Sequence, residues 1–450
     1  MNKKYHIFYE YKKITSSDIG EKDFNELKSF ILRQEEDGVN ESVPFDELKI
    51  EETSACMKLS ADKHGREILT IKNYVGTIML SSGTTIEILP KIYNEQNSDN
   101  IRNARALIVR MLQACGLMKY KSFQRADLAL EKMTIFEIYI RIFLDEVYKL
   151  YQRGLKFGYV QKQENERFFK GKLLFSQHVK NNFAHAERFF IEYDEFNVNR
   201  PENKLIKTTL ECLRKKTKIE ENKRDLRRLS LVFDDVERSY TIDTDFQKCT
   251  GGRNMKEYEG ILDMCKIFLK GCSFSSYSGK HNTTALLFPM EKLFESYVAK
   301  TLQKKLKGYV VSSQKRGKYL FDKFINVSRN MFSLRPDIYV EKNGEVVLLD
   351  TKWKIINDNI KENFGISQAD MYQMHAYYTR FNDNKTVKTV VLLYPAVSIQ
   401  EENFVWEYES KKEKIFAKTL KINIADKIKG IEDECMSFDS VVELIAEQLR

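Results

Sequence analysis

Residues 337–352, DIYVEKNGEVVLLDTK, constrain this 450-residue chain more than any other stretch. Two β-prone runs flank Asn343-Gly344, a dipeptide that closes two-residue hairpins because both positions tolerate positive φ. VVLL has no polar position, so the pattern predicts a central strand buried on both faces of a sheet. That strand ends on Asp350 and Lys352, which alternation places on one face. Counting outward from the turn sets Asp337 opposite Asp350, with Pro336 tolerated at the entry of the partner strand.

Such an end is costly unless it is used. Two carboxylates about 4 Å apart repel by roughly 4 kcal/mol at an effective dielectric of about 20. A divalent metal reverses that sign, and hard oxygen ligands suit Mg2+, which keeps several waters. Lys352 beside them would orient or help deprotonate a water, or stabilise negative charge in a phosphoryl-transfer transition state. The plain alternative is a structural hairpin with Asp350 and Lys352 ion-paired at a sheet end. Three features favour chemistry: the buried strand, Glu295 on the predicted helix MEKLFESYVAKTLQKKL as a third acid, and Gln373 with Tyr377, four apart on one helix face. Glu291, one turn before Glu295, competes for the third role. His375 stands two positions from Gln373 and so points elsewhere.

Composition bounds the rest. Hydrophobic residues make up 42% and charged residues 31%, a globular balance for a chain long enough for two or three domains. The net charge of +9 permits a polyanionic partner and no more. Seven scattered cysteines without a C-x-x-C exclude a disulfide framework and a zinc site. MNKKYHIFYEYKK has no signal-peptide pattern. IFEIYIRIFL carries Glu137 and Arg141 and falls short of a span of roughly 20 apolar residues. These features predict a reduced, cytoplasmic chain without membrane contact.

Residues 1–124 read as β-rich, from HIFYEYKKI, REILTIKNYVGTIML and TTIEILP, with an amphipathic helix at DFNELKSFILRQ and, after Pro90, a second helix, SDNIRNARALIVRMLQACGL, from a Ser or Asp cap to Gly116. Residues 125–284 read as mainly helical, the charged run RKKTKIEENKRDLRR being a solvated helix pair. Residues 285–450 alternate helix, strands, helix and strand, the order of a sheet with helices on its faces. A P-loop is absent. GCSFSSYSGKH has the wrong glycine spacing and ends in His281, so the chain encodes no nucleotide motor.

P-D-x(12)-D-x-K followed by Q-x-x-x-Y resembles the PD-(D/E)xK nuclease superfamily in its RecB-like branch. More narrowly, LRPDIYV, VLLDTKWK and DMYQMHAYY are similar to the McrC family, nuclease subunits of McrBC modification-dependent restriction systems. NYVGTIML, TTIEILPKI, RGLKFGYVQKQENERFFKGKLLF and YDEFNVNRPENKLIK also look like stretches of that family, so the likeness covers most of the chain. The resemblance implies a multidomain α/β and α+β fold whose C-terminal part is a restriction-endonuclease-like α/β/α core with a mixed sheet. It implies Mg2+ held by Asp337 and Asp350, Lys352 as catalytic lysine, and Glu295, Gln373 and Tyr377 beside them, with Trp353 packing. It implies an McrB-like AAA+ GTPase hexamer as partner, binding the GTP that this chain does not bind and receiving the N-terminal region. The implied substrate is double-stranded DNA containing methylcytosine. A stand-alone RecB-like repair nuclease and a non-catalytic activator of an NTPase ring are the rival readings.

Overall fold

The computed structural model describes residues 5–36, 56–93, 98–115, 133–185, 187–249, 255–273, 283–321, 331–357, 359–382, 386–396, 405–409, 414–421 and 435–449. The chain divides into two compact units, residues 1–135 with 274–450, and residues 136–273.

The first unit begins with six strands, β1 (Tyr5–Tyr9), β2 (Lys13–Ile14), β3 (Met57–Ala61), β4 (Glu67–Ile71), β5 (Tyr74–Met79) and β6 (Thr85–Leu89). They serve two small sheets, one ordered β2-β4-β3 and the other starting β1-β6-β5. REILTIKNYVGTIML thus supplies a strand to each. β1 runs parallel to β6 with Tyr9 opposite Leu89, so the residues that follow, Glu10 and Lys91, leave the sheet at the same end. Helix α1 (Glu21–Glu36) presents Phe24, Leu27, Phe30 and Ile31, spaced by three and four, to a core with Ile78, Ile86 and Ile88. Helix α2 (Ser98–Ala114) follows; Gly116, expected to stop it, lies outside the described residues.

Within the second unit, α3 (Ile135–Arg153) stops at Gly154, whose φ of 88° suits a residue without Cβ. The helices α4 (Pro201–Lys216), α5 (Glu220–Val232) and α6 (Lys256–Ser273) fill most of the remainder. Arg214 to Arg228 fall across α4 and α5, the helix pair that their mixed charge predicts. The expected mainly helical region also holds an antiparallel sheet ordered β7-β9-β8, made from β7 (Gly158–Glu166), β8 (Lys172–Leu173) and β9 (Phe189–Asn197). No residue of GYVQKQENE is fully buried, so this strand lacks the apolar face that periodicity detects.

Back in the first unit, β10 (Thr284–Pro289) pairs antiparallel with β5 and completes the order β1-β6-β5-β10. Helix α7 (Met290–Lys305) leads to β11 (Val310–Ser313), the pair β12 (Lys318–Phe321) and β13 (Met331–Leu334), and then β14 (Ile338–Lys342) and β15 (Glu345–Thr351). After α8 (Gln368–Phe381) come β16 (Thr386–Ala396), β17 (Val405–Glu409), β18 (Lys414–Lys421) and helix α9 (Cys435–Gln448). The largest sheet is ordered β11-β14-β15-β16-β18-β17 and is mixed, with β15 antiparallel to β14 and parallel to β16. As the uninterrupted VVLL demands, β15 is central, and Val346 to Leu349 are at most 1% exposed. Burial of each such side chain contributes roughly 1.5–3 kcal/mol. Lys342 pairs with Glu345 across Asn343 and Gly344, whose φ angles of 54° and 84° fit a type I′ turn. Among the described residues no helix is long and apolar enough to cross a membrane.

Candidate active site

The hairpin register fixes the first two acids. Ile338 pairs with Leu349, so the next residues outward, Asp337 and Asp350, face one another at the end of the ladder. Thr351 secures Asp337, its N–H and hydroxyl donating to Oδ2 at 2.7 and 2.8 Å. Asp350 is 1% exposed, and Lys352 Nζ approaches its Oδ2 to 2.6 Å. That approach is an ion pair without hydrogen-bond geometry, and Oδ2 remains a buried oxygen that accepts no directed hydrogen bond.

Lys352 continues the strand edge, its N–H donating to Leu393 O at 2.8 Å. Its Nζ donates to Gln373 Oε1 at 3.0 Å, Gln373 Nε2 donates to Tyr377 OH at 2.7 Å, and that hydroxyl donates to Arg335 O at 2.8 Å. The four-residue spacing on α8 therefore links the lysine back to the backbone just before Pro336-Asp337. Helix α8 is started by Ser367, whose hydroxyl accepts from Asp370 N–H at 3.2 Å. His375 is exposed on another face, as its spacing predicts.

Glu295 is 8% exposed on α7, while Glu291 is exposed. Glu295 Oε1 accepts from Gln314 Nε2 at 2.8 Å and Oε2 from Lys292 Nζ at 3.1 Å. Gln314 N–H also donates to Asp337 O at 2.9 Å, so one residue clips the third acid to the first. Just beyond Gln314, Lys315 and Arg316 are exposed and make no ion pair among the described residues; Lys315 Nζ lies 4.9 Å from the Tyr339 ring. A cavity of about 200 Å³ opens there, lined by Lys315, Arg316, Lys318, Tyr339 and Phe381 among others.

The electrostatics follow from burial. Burial, and then the charge of Asp337, push Asp350 up to about 7 against the pull of Lys352. Burial raises Asp337 despite the Thr351 hydrogen bonds. Glu295 is raised by burial and then by Asp337. Burial works to lower Lys352, yet Asp350 and then Asp337 hold its pKa above the usual lysine value. Lys352 is therefore an ammonium in this arrangement. A buried oxygen without a hydrogen bond, next to a second carboxylate, fits a hard divalent cation that keeps water in its shell. Among the described residues no three His, Cys, Asp or Glu side chains form a ready-made metal cluster. Asp337 and Asp350 are the two that fit, and Glu295, already bonded twice, stands beside them.

Trp353 packs, as expected. It is 2% exposed with its ring 5.3 Å from that of Phe294. Sequence reasoning missed four contributors. Lys292 was legible as a cation three residues before Glu295 on a helix. Thr351 lies inside the D-x-K motif. Asp370, paired with Lys354 at 2.7 Å and 4.0 Å from Lys352, is one turn before Gln373. Gln314 has no local signal, because only the folded sheet brings it to Glu295.

Comparison with known proteins adds the last finding. The model for the McrBC family, described as McrBC 5-methylcytosine restriction system component, matches residues 69–395. No curated protein matches the sequence. A chain of the half-complex from a tetradecameric assembly of Thermococcus gammatolerans McrB AAA+ hexamers with bound McrC is similar in fold, with a TM-score of 0.69. The match covers 98% of this chain and 100% of that one at 19% identity. A chain of the cryo-EM structure of the Thermococcus gammatolerans McrBC complex gives a TM-score of 0.48 at 20% identity, over 67% of this chain and 88% of that one.

Proposed function

This chain belongs to the McrBC family of 5-methylcytosine restriction system components, and from that premise we propose that it is the McrC-type, Mg2+-dependent DNA endonuclease subunit of such a system. One observation carries the reading: a buried acid pair, Asp337 and Asp350, left in mutual repulsion beside an ammonium fixed by Gln373. The six-stranded mixed sheet with α7 and α8 is then a restriction-endonuclease-like core of the PD-(D/E)xK type, its hairpin and D-x-K strand delivering the acids.

Asp337 and Asp350 would hold Mg2+, which when bound supplies Lewis-acid stabilisation of charge on the scissile phosphate and a water of lowered pKa. Lys352, held beside the acids, acts as a fixed cation toward developing negative charge. Gln373 and Tyr377 orient that cation. Glu295, raised beside Asp337, is placed to accept a proton from an incoming water once the pair is neutralised. Lys315 and Arg316, exposed on a turn clipped to Glu295 by Gln314 and without an ion pair among the described residues, suit contact with the DNA backbone.

The partner in this reading is an McrB-like AAA+ GTPase hexamer. The solved complex of similar fold contains McrB AAA+ hexamers with bound McrC, which supports it. GTP belongs to that partner, and the substrate is double-stranded DNA carrying methylcytosine. The test is cleavage of methylated DNA by the complex assembled with the GTPase. Asp350→Ala should lose cutting by about a thousandfold or more, in line with removal of a group acting on the transition state, while still stimulating GTP hydrolysis. Retained cutting would overturn the site assignment. Loss of cutting and stimulation together would point to a folding or docking role.

A further inference from the structure

The backbone that carries Lys352 is gripped from a distant part of the chain. β1 and β6 end side by side and deliver Glu10 and Lys91 to one place. Glu10 Oε2 accepts the Trp353 indole N–H at 2.9 Å and the Lys91 backbone N–H at 3.0 Å. Lys91 Nζ donates to the Trp353 carbonyl oxygen at 2.6 Å and lies 4.7 Å from the Tyr11 ring centroid. The indole N–H and the carbonyl oxygen of the residue next to Lys352 are thus held by residues more than 250 positions earlier. On the other side of the same backbone, Lys352 N–H is bonded to Leu393 O.

Adjacent residues of an extended backbone project to opposite sides. Lys352 points to the acids, and Trp353 points toward the end of β1 and β6. The Trp353 ring also packs on Phe294, the neighbour of Glu295 on α7. One anchored side chain therefore bears on both the lysine and the third acid. We infer that Glu10 and Lys91 are positioning residues for the reaction, holding Trp353 and through it the catalytic Lys352 in register with Asp337 and Asp350. The inference rests on the endonuclease reading above.

Stability alone is a poor reason for this arrangement. Glu10 is 3% exposed, its Oε1 accepts no hydrogen bond among the described residues, and burial drives its pKa up to about 7, against Trp353 and Lys91, with Glu291 adding to the rise. A buried carboxylate with one orphaned oxygen destabilises relative to an apolar pair of similar shape. What it provides is direction: an acceptor that fixes the indole and, beside it, an ammonium that fixes the carbonyl. Lateral freedom of about 1 Å at a catalytic group costs on the order of a hundredfold in rate.

The experiment uses the full chain assembled with its GTPase partner, and compares Glu10→Leu, Glu10→Gln and Trp353→Phe. Measured are the single-turnover cleavage rate, DNA affinity, stimulation of GTP hydrolysis, thermal unfolding and the 15N indole signals of the two tryptophans, Trp353 and Trp406. Glu10→Leu and Trp353→Phe should slow cleavage by roughly ten- to a hundredfold, with DNA affinity and GTP stimulation within about twofold. Glu10→Gln keeps an acceptor and should recover most of the rate. The Trp353 indole signal should move in Glu10→Leu and less in Glu10→Gln. A moved indole signal with an unchanged cleavage rate would overturn the proposal, as would loss of cleavage, stimulation and stability in parallel. Asp350→Ala, run alongside, separates the two claims: if it still cuts, the endonuclease reading fails first.

Discussion

Two buried carboxylates in the first unit have opposite fates. Glu87 is fully buried on β6 and completely answered: Arg105 donates to both oxygens at 3.2 and 2.7 Å, Ile135 N–H donates to Oε1 at 2.8 Å, and the Tyr5 hydroxyl donates to Oε2. Asp350 is as deeply buried on β15 and has Lys352 Nζ 2.6 Å from its Oδ2, yet it faces a second acid, Asp337, and among the described residues that oxygen accepts no directed hydrogen bond. A carboxylate matched with cation and donors is a structural pin. One set against its own kind is a reserve for something that arrives from outside, and the difference lies in the neighbours, not in depth of burial.

The comparison can be broken by neutralising each group. Glu87→Gln should destabilise by about 3–5 kcal/mol, because it strands the buried Arg105. Asp350→Asn should instead stabilise the metal-free chain by about 1–3 kcal/mol, because burial and then the charge of Asp337 cost this carboxylate more than its ion pair with Lys352 returns. Chemical denaturation of both variants without divalent metal reads the two signs. If they agree, the distinction is wrong.

A pH series sharpens it. Asp350 has a folded pKa of about 7, above its unfolded value, so the folded chain binds more protons between the two values. Stability from this group therefore falls as pH rises from about 4 through about 7 and is level above that. Metal-free wild type should lose stability across this window more steeply than Asp350→Asn, and Mg2+ should flatten the wild-type curve by displacing protons. Glu10, also pushed up to about 7, adds the same sign in both chains and so cancels in the difference. Parallel curves for the two chains would refute the assignment. The smallest effect belongs to Tyr377→Phe, which removes the hydroxyl bridging Gln373 and Arg335. Loss of such a bond is worth about 0.5–1.5 kcal/mol, so cleavage should slow by about three- to tenfold with DNA affinity unchanged.

The legible part of the site was the part governed by local rules. Asn343-Gly344 specifies its turn, the turn specifies the Asp337–Asp350 pairing, and the four-residue spacing places Gln373 and Tyr377 on one face of α8. Glu295 was separable from Glu291 only by burial, which depends on how α7 meets the sheet. Gln314, Glu10 and Lys91 left no trace because their partners lie 19, 343 and 262 residues away. The sheet β7-β9-β8 escaped for a different reason. Half-buried and exposed positions alternate along β7, but the half-buried ones include Lys162 and Glu164 while Tyr159 is exposed, so the apolar alternation that marks a strand is missing from the sequence.

The two-residue turn between β14 and β15 carries a consequence for how such a site can change. Strand pairing moves only in whole residues, and each single step inverts every side chain with respect to the sheet. A slip of β14 by one residue along β15 would leave the apolar run of β15 in place but swing Asp337 to the opposite surface. The site therefore has no intermediate settings along this axis. It can be altered by exchanging a side chain, and it cannot be tuned by sliding one strand along the other.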